Sequence, residues 1–244
     1  MMRIPVIQGV IDRRILANFR VRPDALERIL PPPFRPKLVE GWGVAGICLI
    51  RLKQIRPRGL PGFIGVSSEN AAHRIAVQWD VAGQTREGVF VPRRDSSSRL
   101  NALAGGRVFP GVHHRASFDV HETDTSISLK MHGNGASVAI DAMTDASFPA
   151  TSIFRTLELA SEFFRSGSVG YSPASRVGEF DGLELRTPNW RVEPLDVKSI
   201  HSSFFGDAER FPAGSVHFDC ALLMRGVQHE WHGREPICCT SAAA

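Results

Sequence analysis

His73-Arg74-Ile75-Ala76-Val77-Gln78-Trp79-Asp80-Val81 decides the fold, because its large apolar residues fall on every second position rather than every third or fourth. Ile75, Val77 and Trp79 share one face, with Arg74, Gln78 and Asp80 mostly opposed, as in a half-buried strand. A loop at Ala82 to Arg86 leads into Gly88-Val89-Phe90-Val91, which completes a hairpin. Upstream, Leu38 to Ile55 is rich in Val, Ile and Leu, with glycines at 41, 43 and 46. It reads as a strand pair turning near Glu40-Gly41, or as one long bent strand. Downstream, Ala116 to Val120 pairs with Ser126 to Met131, and Gly133-Asn134-Gly135 turns into a third strand at Ala136 to Ala142. Leu183 to Arg186, Trp190 to Val197 and Val216 to Leu223 resume strand character.

Helices are few. Asp24 to Leu30 is one, with Pro23 in its first turn and Pro31-Pro32-Pro33 as its stop. Ile153 to Phe164 is the other, with Ser152 as N-cap and Gly167 as stop signal. No linker, repeat or low-complexity tract interrupts the chain. The expectation is one α+β domain over residues 1–244, with a mainly antiparallel sheet or barrel and a tail outside the fold after about residue 239.

Composition narrows the function classes. Hydrophobic residues at 43% and charged residues at 22% allow a sizeable core. The net charge of +4 is carried by arginine, since lysine occurs only at 37, 53, 130 and 198. These arginines are scattered among acids, which speaks against nucleic-acid binding, and the planar guanidinium suits carboxylate or phosphate instead. The four cysteines form no disulfide framework, and no secretory signal precedes them. The longest apolar run, Val44 to Ile50, is far short of the about 20 residues that span a bilayer. A cytoplasmic, reduced protein without membrane segments is expected.

The densest chemistry lies between Ser67 and Arg115, and that segment contains no lysine. It holds Ser67-Ser68-Glu69-Asn70, His73-Arg74 and Pro92-Arg93-Arg94-Asp95, then Gly105-Gly106-Arg107 and Phe109-Pro110-Gly111-Val112-His113-His114-Arg115. The two histidines point to opposite faces if extended, so at most one is expected to face a pocket. Ser96-Ser97-Ser98 lacks the Gly-x-Ser-x-Gly elbow of a serine hydrolase. In His229-Glu230-Trp231-His232 the histidines are three apart, whereas the zinc helix motif needs four. A site from His229, His232 and Cys238 is therefore not adopted, and neither a metal nor a cofactor is expected.

These same residues carry a resemblance. Ser-Glu-Asn, strand, turn, strand and then Gly-Gly-Arg with Phe-Pro nearby is similar to the acetoacetate-decarboxylase-like superfamily. From about Ile11 to Trp231 the chain resembles the YqjF-like family of unknown function within it, through Ile15 to Phe19, Glu69 with Arg74, Gly88-Val89-Phe90, Leu157-Glu158 and Pro188-Asn189-Trp190. The resemblance implies a cone- or barrel-like sheet around an internal cavity, with a glutamate facing a lysine pair that follows Gly-Gly-Arg. Here His113, His114 and Arg115 stand where lysine is expected, and none of them forms the Schiff base of the decarboxylase. The candidate acid–base residues are therefore Glu69, His113 and His114. The candidate anion-binding residues are Arg74, Arg93, Arg94, Arg107 and Arg115. The expected partner is a small organic anion, with lyase- or isomerase-type proton transfer as the chemistry. The alternatives are a non-catalytic binder or sensor, and an edge-strand interaction module that could form a homo-oligomer.

Overall fold

Alternation extends through longer strands than the sequence marks out. The computed structural model describes residues 5–98, 111–144 and 146–238. It places β1 (Ile7–Val21), then helix α1 (Pro23–Glu27), two-residue strands β2 (Arg35–Pro36) and β3 (Leu38–Val39), and long strands β4 (Trp42–Pro57), β5 (Val66–Val81) and β6 (Gln84–Ser96). After them come β7 (His113–Glu122), β8 (Ser126–Gly133), β9 (Ala136–Met143), helix α2 (Leu157–Ser166), β10 (Val169–Pro173), β11 (Glu179–Arg186), β12 (Glu193–Ser202) and β13 (Val216–Cys238). The described strands form one sheet. Pairing of β5 with β6 closes a circuit through β7, β8, β9, β12, β13, β1 and β4. β10 beside β6 and β11 beside β13 close a second circuit on the same wall, β13-β1-β4-β5-β6.

This is the α+β, cone-like and mainly antiparallel sheet expected. Only β6–β7 and β6–β10 run parallel among the described pairs. It is not a plain barrel, because the second circuit adds a compartment outside the first. No helix among the described residues is long and apolar enough to cross a membrane.

The shared wall buries both of its faces. Ile15, Ala17, Ile47, Leu49, Ala71 and Ile75 point into the closed core against Leu129, Met131 and Ile140. Leu16, Cys48 and Ala76 point the other way, beneath Phe154, Ala160 and Phe164. Turn chemistry sets the register. Ala82 and Gly83 both take left-handed φ, 49° and 76°, so the hairpin closes in two residues rather than the loop of five expected. Glu40-Gly41 does the same between β3 and β4, the strand-pair option of the sequence reading.

Local signals fail where a distant group competes. The helix expected from Ile153 starts at Leu157, capped by Thr156, whose Oγ1 accepts from Leu159 N at 3.3 Å. Ser152 donates to Asp219 Oδ2 at 2.6 Å and Ile153 N to Oδ1 at 3.0 Å, while Arg155 sits at φ 65°. The first helix ends at Glu27, three residues early, and a turn continues to Leu30, whose N–H bonds Leu26 O at 3.0 Å. The strand expected from Trp190 starts at Glu193, and Trp190 Nε1 donates to Ser161 Oγ at 2.9 Å beneath α2.

One end of the closed core is plugged by charge. Arg13, 0% exposed, donates to Glu69 at 2.6 Å and Glu122 at 3.2 Å. Arg51 donates to the same two carboxylates at 2.7 and 2.9 Å and reaches Asp12, which also takes Lys53; Arg225 completes the group on Glu122. Burial works against the charge on Glu122, but Arg225 and Arg13 outweigh it and lower its pKa. Removing one partner leaves a buried guanidinium short of charge. Glu69→Gln is expected to cost about 3 kcal/mol of unfolding free energy in urea denaturation; a loss below about 0.5 kcal/mol would show that the cluster is mere surface pairing.

His73, 0% exposed against Phe204, and His229, 2% exposed against Trp231, are both buried neutral. Burial, with Arg93 and Arg210, pushes His73 down to about 3; burial, with Arg14, pushes His229 down to about 4. The unfolded chain takes up protons at both near pH 6.5 while the native state does not. Stability is therefore lost as pH falls below about 6.5, by up to roughly 1.4 kcal/mol per pH unit per histidine. Urea titrations between pH 7 and 5 should show this slope, and His73→Gln should reduce it by about one proton. A flat profile over that range would refute the assignment.

Candidate functional site

Strand alternation divides neighbouring polar residues between two compartments. Arg13 enters the closed core and Arg14 the outer side, and His73 and Arg74 divide in the same way. Arg93 and His114 line one cavity, while Arg94 and His113 line another. The adjacent histidines do point to opposite faces, but the expectation that at most one meets a pocket fails, because His113 and His114 each border a cavity of their own.

The outer cavity lies between the shared wall and a roof of α2, β10, β11, Trp190 and Trp231. Two adjoining spaces of about 120 and 60 Å³ share Ile50, Ala72, Arg94, Leu183 and Trp231 as walls. The register explains the room. Cys48, Ala72, Arg94 and His113 are paired in one row across β4, β5, β6 and β7, and the small side chain of Ala72 leaves a gap in that row. One row away, Gly46 pairs with Arg74, and a Cβ at Gly46 would lie 2.4 Å from Ala17 O and 3.3 Å from Arg74 Nη2. Glycine there lets β1 approach and Arg74 lie across it. Gly111, at φ 88°, seats the entry to β7 against Ser172 and Arg94 in the same manner.

Arg14, Arg74, Arg94 and Arg165 line the larger space, and no aspartate or glutamate does among its described walls. Arg74 donates to Asn18 Oδ1 and stacks 4.7 Å from the Phe164 ring, but its Nε has no partner. Arg14 reaches Cys48 Sγ at 3.5 Å and leaves Nε and Nη1 without partners. Arg94 Nε donates to Ser172 Oγ at 3.1 Å. Burial lowers the Arg74 pKa, and lowers that of Arg94 to about 10, which leaves Arg94 charged at neutral pH. A buried guanidinium without a carboxylate is costly, and an anion in the cavity relieves that cost.

The structure thus gathers Arg74, Arg94 and His113 and separates the rest. Glu69 is held by Arg13 and Arg51 in the charge cluster. Arg93 is bound to Asp95 and, with His114 and Arg210, borders a separate cavity of about 240 Å³. Arg115 is exposed. Arg107, like residues after 238, lies outside the described residues. The lysines do not line the larger of the two adjoining spaces: Lys53, Lys130 and Lys198 are exposed, and Lys37 pairs with Glu87 in a neighbouring space that also meets Arg14 and Arg74. His229 and His232 sit on a strand three residues apart and so face opposite ways. Among the described residues no group of three His, Cys, Asp or Glu is placed to hold a metal ion.

Sequence reasoning missed Arg14, Cys48 and Trp231. The signal for Arg14 was present, because Arg13-Arg14 interrupts an apolar run between Ile11 and Phe19.

Several solved structures share this fold. An acetoacetate decarboxylase-like enzyme from Sphingomonas wittichii RW1 superposes with a TM-score of 0.62 at 11% identity, covering 97% of this chain and 95% of that one. The acetoacetate decarboxylase of Legionella pneumophila subsp. pneumophila str. Philadelphia 1 gives 0.58 at 12% identity, covering 93% and 86%. The enduracididine biosynthesis enzyme MppR, complexed with pyruvate, gives 0.59 at 10% identity, covering 100% and 93%. At such identities the similarity shows the fold alone. No curated protein sequence matches the chain. The DUF2071 family, described as an uncharacterized conserved protein, matches residues 11–227. That match runs through the shared wall, the four arginines of the cavity and the first half of β13, and the chain belongs to the DUF2071 family, with an acetoacetate-decarboxylase-like fold.

Proposed function

We propose that the protein binds a small organic anion, of the 2-oxo or 2-hydroxy acid kind, in the cavity between Arg14, Arg74 and Arg94. The observation that carries this reading is the set of buried guanidinium N–H groups without partners on the larger space, whose described walls hold no carboxylate; Asp95 and Glu87, in the adjoining spaces, are paired with Arg93 and Lys37. A charge-assisted pair at about 4 Å is worth roughly 4 kcal/mol at an effective dielectric near 20, enough to select an acid over its amide. The space of about 120 Å³ is several times what one water needs, ~10–15 Å³. The pyruvate complex of MppR, on the same fold, supports an anion of this size.

His113 ends the Cys48–Ala72–Arg94 row and borders the smaller adjoining space, which supports it as the group that moves a proton on such a ligand. Glu69 is not, since two guanidiniums hold its carboxylate. Imine chemistry has no amine on the wall of the larger cavity. The edge-strand reading has less behind it, because every described strand longer than two residues pairs with at least two others over part of its length.

Thermal-shift and calorimetric titration with a panel of 2-oxo and 2-hydroxy acids, each beside its amide, tests the proposal. At a hundredfold excess over Kd a ligand should stabilise the fold by about 2.7 kcal/mol. Arg94→Leu should weaken acid binding by about 10- to 100-fold, or ~1.4–2.8 kcal/mol. Equal shifts by acids and amides, or unchanged affinity in Arg94→Leu, would contradict it. Turnover of a bound acid that His113→Gln removes separates enzyme from binder.

A further inference from the structure

Cys48 lies on the wall of this cavity and takes no part in holding an anion by charge. It is 3% exposed, and Arg14 Nη2 donates to its sulfur at 3.5 Å. The Arg74 guanidinium acts on the same sulfur, and Arg74 is itself 4% exposed with its Nε unpartnered. Burial alone would raise the thiol pKa, yet Arg14 and Arg74 outweigh it and the net shift is downward. Cys220 shows the opposite outcome for a thiol just as buried: burial and the neighbouring Asp219 push it up to about 12. Flanking charge, not depth, separates the two. Ala72, the register partner of Cys48, leaves open the space beside the sulfur.

We propose that Cys48 is a nucleophile and that the cavity takes organic anions with an electrophilic carbon, held by their carboxylate on the guanidiniums while the sulfur attacks. This rests on the anion-binding reading above and extends it by adding a covalent step. With a 2-oxo acid, the thiolate lone pair forms a bond to the carbonyl carbon. The C=O π pair moves to oxygen, which takes a proton from water, giving a reversible thiohemiketal. With iodoacetate, the S–C bond forms as the C–I bond breaks and iodide leaves with the pair. In both cases the sulfur reacts as the thiolate, the thiol proton having passed to solvent water.

The test is the alkylation rate of each cysteine at neutral pH, read by peptide mass spectrometry, with iodoacetate and with neutral iodoacetamide. The exposed Cys238 serves as reference within the same molecule. Cys48 should favour iodoacetate at least about tenfold more than Cys238 does, and Cys220 should stay unlabelled. Pyruvate should protect Cys48 and not Cys238. Ala72→Leu, which keeps every charged group but fills the gap, should slow Cys48 labelling about tenfold and leave Cys238 unchanged. If Cys48 reacts no faster than Cys220 with either reagent while acids still bind, the nucleophile is overturned and the anion site stands. If Cys48 reacts equally with both reagents and no acid protects it, the anion reading falls, and this inference with it.

Discussion

The register of the wall β13-β1-β4-β5-β6 is the constraint on which the rest of the molecule depends. Each of its strands sends alternate side chains into the closed core and into the outer compartment, so both faces must be right at once. A slip of one residue in β5 would exchange His73 for Arg74, putting an unpaired guanidinium among Phe204 and Phe205. The two-residue turn at Ala82-Gly83 prevents this by fixing β6 against β5. Bulges at His73/Ile75 and Ile11/Arg13 then change the phase locally, which lets the charge cluster occupy the end of a core otherwise apolar.

Sorting by face gives the protein two treatments of buried arginine. Arg13 and Arg51 are matched by Glu69 and Glu122, and their charge is spent within the fold. Arg14 and Arg74 are one residue from Arg13 and His73, yet among the described residues their hydrogen-bond and stacking partners are Cys48, Asn18 and aromatic rings. Asn18 and the rings orient a guanidinium without neutralising it, and Cys48 brings at most one negative charge against Arg14, Arg74 and Arg94, so the outer cavity keeps its positive potential. The first treatment gives stability, and the second leaves free energy available for a ligand.

Much of this was legible in the chain. The strand at 73–81 follows from its alternation, the separation of His113 from His114 from the same rule, and the turn at Glu40-Gly41 from a residue type that tolerates positive φ. Arg74, Arg94 and His113 were among the named candidates, but so were Glu69, Arg93 and His114, and only register tells the two groups apart. Register is non-local. Cys48 meets Ala72 across β4 and β5, and Arg14 reaches them from a strand more than thirty residues upstream of Cys48. The helix start fails for the same reason, since Asp219 takes Ser152 from 67 residues away. Short-range chemistry sets turns and strands, whereas long-range pairing decides which side chains become a site.

Proteins of this fold include acetoacetate decarboxylases, and this chain brings no lysine to the larger of the two adjoining spaces. Guanidinium groups, an imidazole and a thiol line the cavity in its place, which suits capture of a carboxylate. The most direct test is a nitrogen-15 spectrum of the arginine side-chain Nε–H groups, titrated with pyruvate. The account predicts that the signals of Arg14, Arg74 and Arg94 move together and saturate, while those of Arg13, Arg51 and Arg93 stay in place. Movement confined to Arg93 and Arg210, or no movement at all, would contradict it.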